Sequence, residues 1–196
     1  SQRESAFSSP NVITYFPQLT ELSADGRRVR SLSALGAIAG MLATRSSSDT
    51  VVLRSKARVA IEPDDDEAAR LARCGVNVLR ADAPGFISFT GDVTLARSQG
   101  SRREWQRLSV RRRAVMTAGT IARSTRWAAV QKRDAETWRA VAAQVGRYLA
   151  DSAAAGMLAG DSTRRAFYVK CDQDTNAHRP GRSFIVGLAL TRPGEF

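Results

Sequence analysis

The chain carries one histidine, His178, in the polar stretch Asn176-Ala-His-Arg-Pro180. Histidine is the commonest general base, but that role needs a nucleophile or substrate proton within hydrogen-bond reach and a group to orient the ring. A lone loop histidine is read here as solvated. Serines are frequent, yet none stands in Gly-x-Ser-x-Gly, and no Gly-rich phosphate loop or His-rich metal spacing is present. Cys74 and Cys171 each lack a nearby second Cys or His and are read as two buried free thiols. Asp64, Asp65 and Asp66 have the chemistry to bind a divalent cation. As consecutive residues at a helix start they point in different directions, and the helix dipole alone favours acids there. Asp172 and Asp174 offer a second pair of ligands, or serve as turn residues. No catalytic, cofactor-binding or metal-ligating residue is therefore assigned, and the chain is read as a non-enzyme.

What remains is charge. The net charge is +11. Residues 1–96 balance eleven basic against eleven acidic side chains, whereas 97–133 hold eleven basic residues and a single acid, Glu104. Only Lys56, Lys132 and Lys170 are lysines, so 27 of the 30 basic residues are arginine, the side chain suited to planar, bidentate pairing with carboxylate or phosphate. Arg102, Arg103, Arg107, Arg111, Arg112, Arg113, Arg123 and Arg126 are the candidate docking residues. They form either an electrostatic docking face or a solvated helix face paired with acids such as Asp64–Glu67. Because helix neighbours lie about 100° apart, Arg111, Arg112 and Arg113 cannot point one way, and at least one must approach the protein's own surface. The docking partner is nucleic acid or an acidic protein. Nucleic acid is the weaker option, since aromatic platforms are not interleaved with the arginines.

The elements that must carry these residues follow from pattern. Asn11–Phe16 reads as a strand, Ser31 or Ser33 caps a buried helix through about Thr44, and Val51–Leu53 is a short strand. The helix glycines, Gly36 and Gly40, are tolerable if another backbone packs against them. Pro63 followed by four acids starts a helix that Gly75 stops, and strands Val76–Ala81 and Phe86–Thr90 follow across Ala83-Pro84-Gly85. Leu108 to about Arg126 reads as a helix with Val110, Ala114, Val115, Ala118, Ile121 and Ala122 on its apolar face. Trp127–Val130 leads into a second helix, capped by Asp134, striped by Trp138, Val141, Val145 and Leu149, and ended by Gly156. Strands at 167–171 and 184–190, joined by a polar loop from Asp172 to Arg182, can pair as a hairpin. The fold class is α+β with an α/β-like rhythm. At 196 residues and 43% hydrophobic, the chain can fill one domain, or one and part of another, and no run approaches the length of a membrane span. The opening Ser1-Gln2-Arg3-Glu4-Ser5 shows no signal-peptide pattern and no initiator Met, so a fragment or processed product is expected.

From Gly75 onward the sequence resembles the C-terminal region of contractile-tail sheath proteins of myophages, R-type pyocins and extracellular injection particles. The residues that carry the likeness are Gly75-Val-Asn-Val-Leu-Arg80, Phe86-Ile-Ser-Phe-Thr-Gly91, Trp105-Gln-Arg-Leu-Ser-Val-Arg-Arg112, Arg126-Trp127 and Thr137-Trp-Arg139. Further on come Gly156-Met-Leu-Ala-Gly160, Ala166-Phe-Tyr-Val-Lys-Cys-Asp172, Thr175-Asn176, Gly187 and Arg192-Pro-Gly-Glu-Phe196. Residues 10–74 look like the end of the family's larger α/β domain, whose subtilisin-like label describes a fold and no protease triad.

The resemblance implies residues 1–95 as the end of that α/β sheath domain and 96–196 as the sheath C-terminal domain, two long helices packed on a small sheet. It implies a structural subunit that polymerises around an inner tube and contracts to drive it through a target envelope. A basic nucleic-acid-binding or packaging protein is the alternative. The implied partners are other sheath copies in sixfold rings stacked helically, the inner tube protein, and baseplate and terminator proteins, with no cofactor. The implied location is a virion tail or tail-like particle assembled in the bacterial cytoplasm. Phe167, Tyr168, Val169, Phe184, Ile185 and Val186 would form the sheet that exchanges strands between subunits. The arginine segment would face the inner tube or an adjacent subunit. Family subunits are longer, with an arm at each end, so the resemblance also implies a fragment or shortened relative.

Overall fold

The computed structural model describes residues 8–23, 29–44, 51–54, 56–91, 93–96, 103–176 and 183–196. The chain divides into two compact units, Ser1–Arg111 and Arg112–Phe196.

The first unit contains, in chain order, β1 (Thr14–Phe16), β2 (Leu19–Leu22), β3 (Val29–Leu32), α1 (Leu35–Thr44), β4 (Val51–Arg54), β5 (Arg58–Val59), α2 (Asp65–Arg73), β6 (Val76–Ala83) and β7 (Phe86–Thr90). A 3-10 turn over Arg103–Gln106 precedes α3 (Leu108–Ser124), which crosses from one unit into the other. One sheet runs β1-β6-β7-β4, with β1 parallel to β6 and the other pairs antiparallel. A second runs β3-β2-β5, all antiparallel. Asn77, Val78 and Leu79 are buried in succession on β6, which marks a strand covered on both faces. Leu19, Ala34, Ile38, Ala57, Leu79, Ile87 and Phe89 form the core, with Tyr15 edge-on to Phe89 at 5.4 Å. Each large side chain buried there contributes roughly 1.5–3 kcal/mol.

Asn77 is a polar residue with no exposed surface. Its Nδ2 donates to the carbonyls of Thr14 (3.1 Å) and Val93 (2.9 Å), and its Oδ1 accepts from Val93 N–H (3.1 Å). The side chain thereby ties β1 and the segment after β7 to the central strand. Gly91, at φ +122°, passes so close that a Cβ there would meet Asn77 Oδ1 at 2.5 Å.

The acidic run behaves as helix-start chemistry dictates. Asp64 Oδ1 accepts from Glu67 N–H at 2.7 Å, Asp65, Asp66 and Glu67 fill the first turn of α2, and Arg70 and Arg73 sit in the last. Asp65 pairs with Arg80 on β6 at 2.7 Å. Gly75 follows at φ +82°. No residue of α2 is buried.

Several expectations need correction. The helix expected to be buried, α1, turns Leu35 outward at 56% exposure, while Ile38 and Leu42 join the core. Among the described residues, no atom lies within 4 Å of where a Cβ on Gly36 or Gly40 would sit. Cys74 is exposed, because it caps the C-terminus of α2, and Cys171 is half-buried. The strand at Asn11–Phe16 is shorter, starting at Thr14.

The second unit continues with a 3-10 turn over Arg126–Val130, then α4 (Ala135–Ala154), α5 (Thr163–Ala166), β8 (Phe167–Lys170), α6 (Gln173–Asn176) and β9 (Ile185–Leu188). Asp134 caps α4, its carboxylate accepting from Thr137 N–H at 2.9 Å. The helix ends as its glycine requires: Gly156, at φ +74°, donates to Ala153 O and Met157 N–H to Ser152 O, the paired bonds of a Schellman cap. Val141, Val145 and Leu149 recur every four residues and join Ile121, Ala128, Leu158, Ala166 and Phe167 in the core. Trp138 is only partly buried, and its indole N–H has no acceptor among the described residues.

β8 and β9 pair antiparallel, Phe167 opposite Leu188 through Lys170 opposite Ile185. Part of the loop expected at 172–182 is helical, as α6. Asp172 Oδ1 accepts from Thr175 N–H at 2.9 Å, and buried Asn176 donates to the carbonyls of Asp172 and Ser183 and accepts from Ser183 N–H, each at 2.9 Å. Asn176 therefore closes the hairpin's connection.

Candidate assembly surfaces

The eight candidate arginines do not form one face. Arg102 lies outside the described residues, as does the side chain of Arg103, whose backbone begins the 3-10 turn. Arg111 turns inward. Its guanidinium stacks 4.6 Å from the Trp105 ring centroid and donates twice to Asn11 Oδ1, at 2.8 and 2.6 Å. Arg113 donates to the Met157 carbonyl at 3.2 Å. These two are fastenings of the fold, the outcome that three consecutive helical arginines impose. Arg112 is half-buried, while Arg107, Arg123 and Arg126 are exposed.

The apolar face of α3 differs from the expected one. Val110, Thr117 and Ile121 are buried and Ala114 half-buried, a single stripe at helical spacing. Val115 (51% exposed), Ala118 and Ala122 face outward, as does Met116 (60%). The six residues expected on one face span two adjacent stripes, and packing takes only one of them, with Thr117 completing it. The outward stripe of α3 is consequently apolar at its middle and cationic at its ends, where Arg112 and Arg123 sit.

The hairpin presents a different surface. Phe167, Val169, Phe184 and Val186 point into the core of their unit, although Phe184 precedes β9. Tyr168 and Ile185 stand on the outer face, 43% and 49% exposed. The Tyr168 ring covers its cross-strand partner Gly187 and leaves no room for a Cβ there, and Phe196 meets Tyr168 edge-on at 5.1 Å. Each strand pairs only with the other in this two-stranded sheet, so both outer edges carry backbone groups with no strand beside them among the described residues.

Reactive geometry is a separate matter. Among the described residues no three His, Cys, Asp or Glu side chains gather to hold a metal. Asp172 and Asp174 pair instead with Lys170, each at 3.6 Å. Hydrogen bonds from the Thr137 and Thr175 backbones hold the Asp134 and Asp172 carboxyls below the usual range, and burial pushes the Cys171 thiol up. His178 lies outside the described residues. No helix among the described residues is long and apolar enough to cross a membrane.

Asn77 and Asn176 fasten the fold, and although both lie in stretches that carry the family resemblance, neither was assigned this role from the sequence. A signal existed for the first: an asparagine inside the apolar run Val76–Leu79 must find partners for both ends of its amide. For Asn176 the partners are Asp172, four residues before it, and Ser183, seven after, and its setting among polar residues gives no such signal.

No protein-family model and no curated protein matches the sequence. Solved structures match along nearly its whole length. A chain of the anti-feeding prophage baseplate, in its 6-fold symmetrised structure, has a TM-score of 0.79 at 22% identity, covering 96% of this chain and 53% of that one. The sheath complex of PVC, an extracellular contractile injection system, in its contracted state has a TM-score of 0.79 at 21% identity, covering 97% and 55%. A sheath tail protein from Desulfitobacterium hafniense has a TM-score of 0.65 at 14% identity, covering 92% and 45%. The protein thus has the α+β fold of contractile-sheath proteins, and it spans about half the length of the solved chains it matches.

Proposed function

We propose that the protein is a structural subunit of a contractile tail sheath, with no catalytic role. The observation that carries this reading is the fold match over 96–97% of the chain to the baseplate chain and the PVC sheath complex. Two features of the molecule support it. Among the described residues no strand lies beside either edge of the β8–β9 hairpin, where a neighbour's strand can add. The exposed arginines of 107–126 supply charged contacts, whose register can shift at modest cost as subunits slide between packings. In this reading residues 1–95 end the larger sheath domain and 96–196 form the C-terminal domain. Copies join in stacked sixfold rings around an inner tube, with baseplate and terminator proteins at the ends, inside a bacterial cytoplasm.

Negative-stain microscopy of the concentrated protein tests the assembly claim. Rings or tubes are expected, and Tyr168→Lys with Ile185→Lys should abolish them while leaving the circular dichroism spectrum unchanged, since lysine on an edge strand opposes strand addition. A monomer at every concentration would contradict it.

A further inference from the structure

The outward stripe of α3 and the start of α2 are unlike surfaces with matching chemistry. On α3, Arg112 and Arg123 are eleven residues apart, so they lie within about 20° of each other on the helix and about 16 Å apart along it. Met116 lies between them at 60% exposure, Val115 beside it at 51%, and exposed Arg126 follows one turn on. Around the start of α2, Ile61 is 58% exposed and is followed by the exposed carboxylates of Glu62, Asp66 and Glu67. No residue of α2 is buried, so most of that helix's surface, about 13 Å long, is open to a partner. The α3 stripe is apolar and cationic, and the start of α2, ahead of Arg70 and Arg73 in its last turn, is apolar and anionic.

We propose that the α3 stripe of one copy receives the acidic start of α2 from a second copy. The inference rests on the sheath reading and assigns the arginine face to a neighbouring subunit in place of the inner tube. Because two different patches meet, the contact is heterologous, the head-to-tail class that closes into rings or extends into helical tubes. Asp64 and Asp65 are not the contact residues, since the first caps α2 and the second pairs with Arg80. Asp66 and Glu67 are exposed, and among the described residues no ion pair engages their carboxylates, which makes them the residues to reverse.

Sedimentation of the purified chain at low salt tests this with three variants: Asp66→Lys/Glu67→Lys, Arg123→Glu/Arg126→Glu, and all four together. Each double variant alone should self-associate about tenfold or more weakly than the native chain. A mixture of the two should regain growth as alternating copies, because the arginine face of the first variant meets the native acids of the second and the lysines of the first meet the glutamates of the second. That mixture also shows that both variants are folded. The quadruple variant should regain concentration-dependent growth through the reversed pair. If only the arginine variant weakens association, the inference is overturned and the arginines serve another partner, such as the inner tube, with the sheath reading intact. If the quadruple variant stays monomeric although the mixture grows, or if neither double variant matters, the contact is likewise overturned. Loss of native assembly altogether would count against the sheath reading itself.

Discussion

At the scale of single residues, identical side chains have opposite jobs. Arg111 is held by Trp105 and Asn11, whereas Arg123 and Arg126 are exposed. Arg111→Ala should therefore destabilise the first unit by about 1 kcal/mol in denaturant titration, while Arg123→Ala and Arg126→Ala stay within about 0.5 kcal/mol of the native protein. Asn77→Ala removes the partner of Thr14 O, Val93 N–H and Val93 O at once, and should cost roughly 1–3 kcal/mol, read the same way. The inward turn of one of Arg111–Arg113 was legible, because helical geometry forbids three neighbours from sharing a direction. That Arg111 and Arg113 would be the ones was not legible, since it depends on Trp105 and on Asn11, one hundred residues earlier in the chain, and on Met157.

Elements that announce their own ends were the legible ones. Both α2 and α4 start on an aspartate whose carboxylate takes a backbone N–H three residues on, and both stop before a glycine at positive φ. Asp134 makes a pH prediction. Its carboxyl is held below the ordinary value by the Thr137 N–H, so its contribution is complete above the unfolded value near 4 and is lost as the pH falls through the lower folded value. Asp134→Ala should melt below the native protein at pH 7, and the two melting curves should converge as the solution is acidified through that range. Asp172, lowered by the Thr175 backbone, acts in the same direction. The face of α3 was misread because Val, Ala and Ile of both stripes look alike in sequence, and only the neighbours that pack on the helix choose between them. The hairpin was legible from its apolar strands, but its strand ends were not, because the Asn176 clamp fixes them from outside.

For the molecule as a whole, the decisive quantity is where charge sits. Residues 1–96 are neutral and 97–133 carry ten net positive charges, so contacts between copies should weaken steeply as salt shortens the reach of charge to about 10 Å at 0.1 M and less above it. The apolar hairpin surface should be far less sensitive. Light scattering across a salt series separates the two, and a salt-independent association would remove the arginines from the interface. The fold was legible from ordered fragments such as Phe86–Gly91 and Ala166–Asp172, although overall identity to the matched structures is only 14–22% in the three compared above. Particles purified from cells that make this protein, labelled with gold-tagged antibody to the chain, test the central claim directly. A sheath subunit predicts gold along the full length of tail-shaped particles, whereas gold on nucleic acid, or on no particle at all, would contradict it.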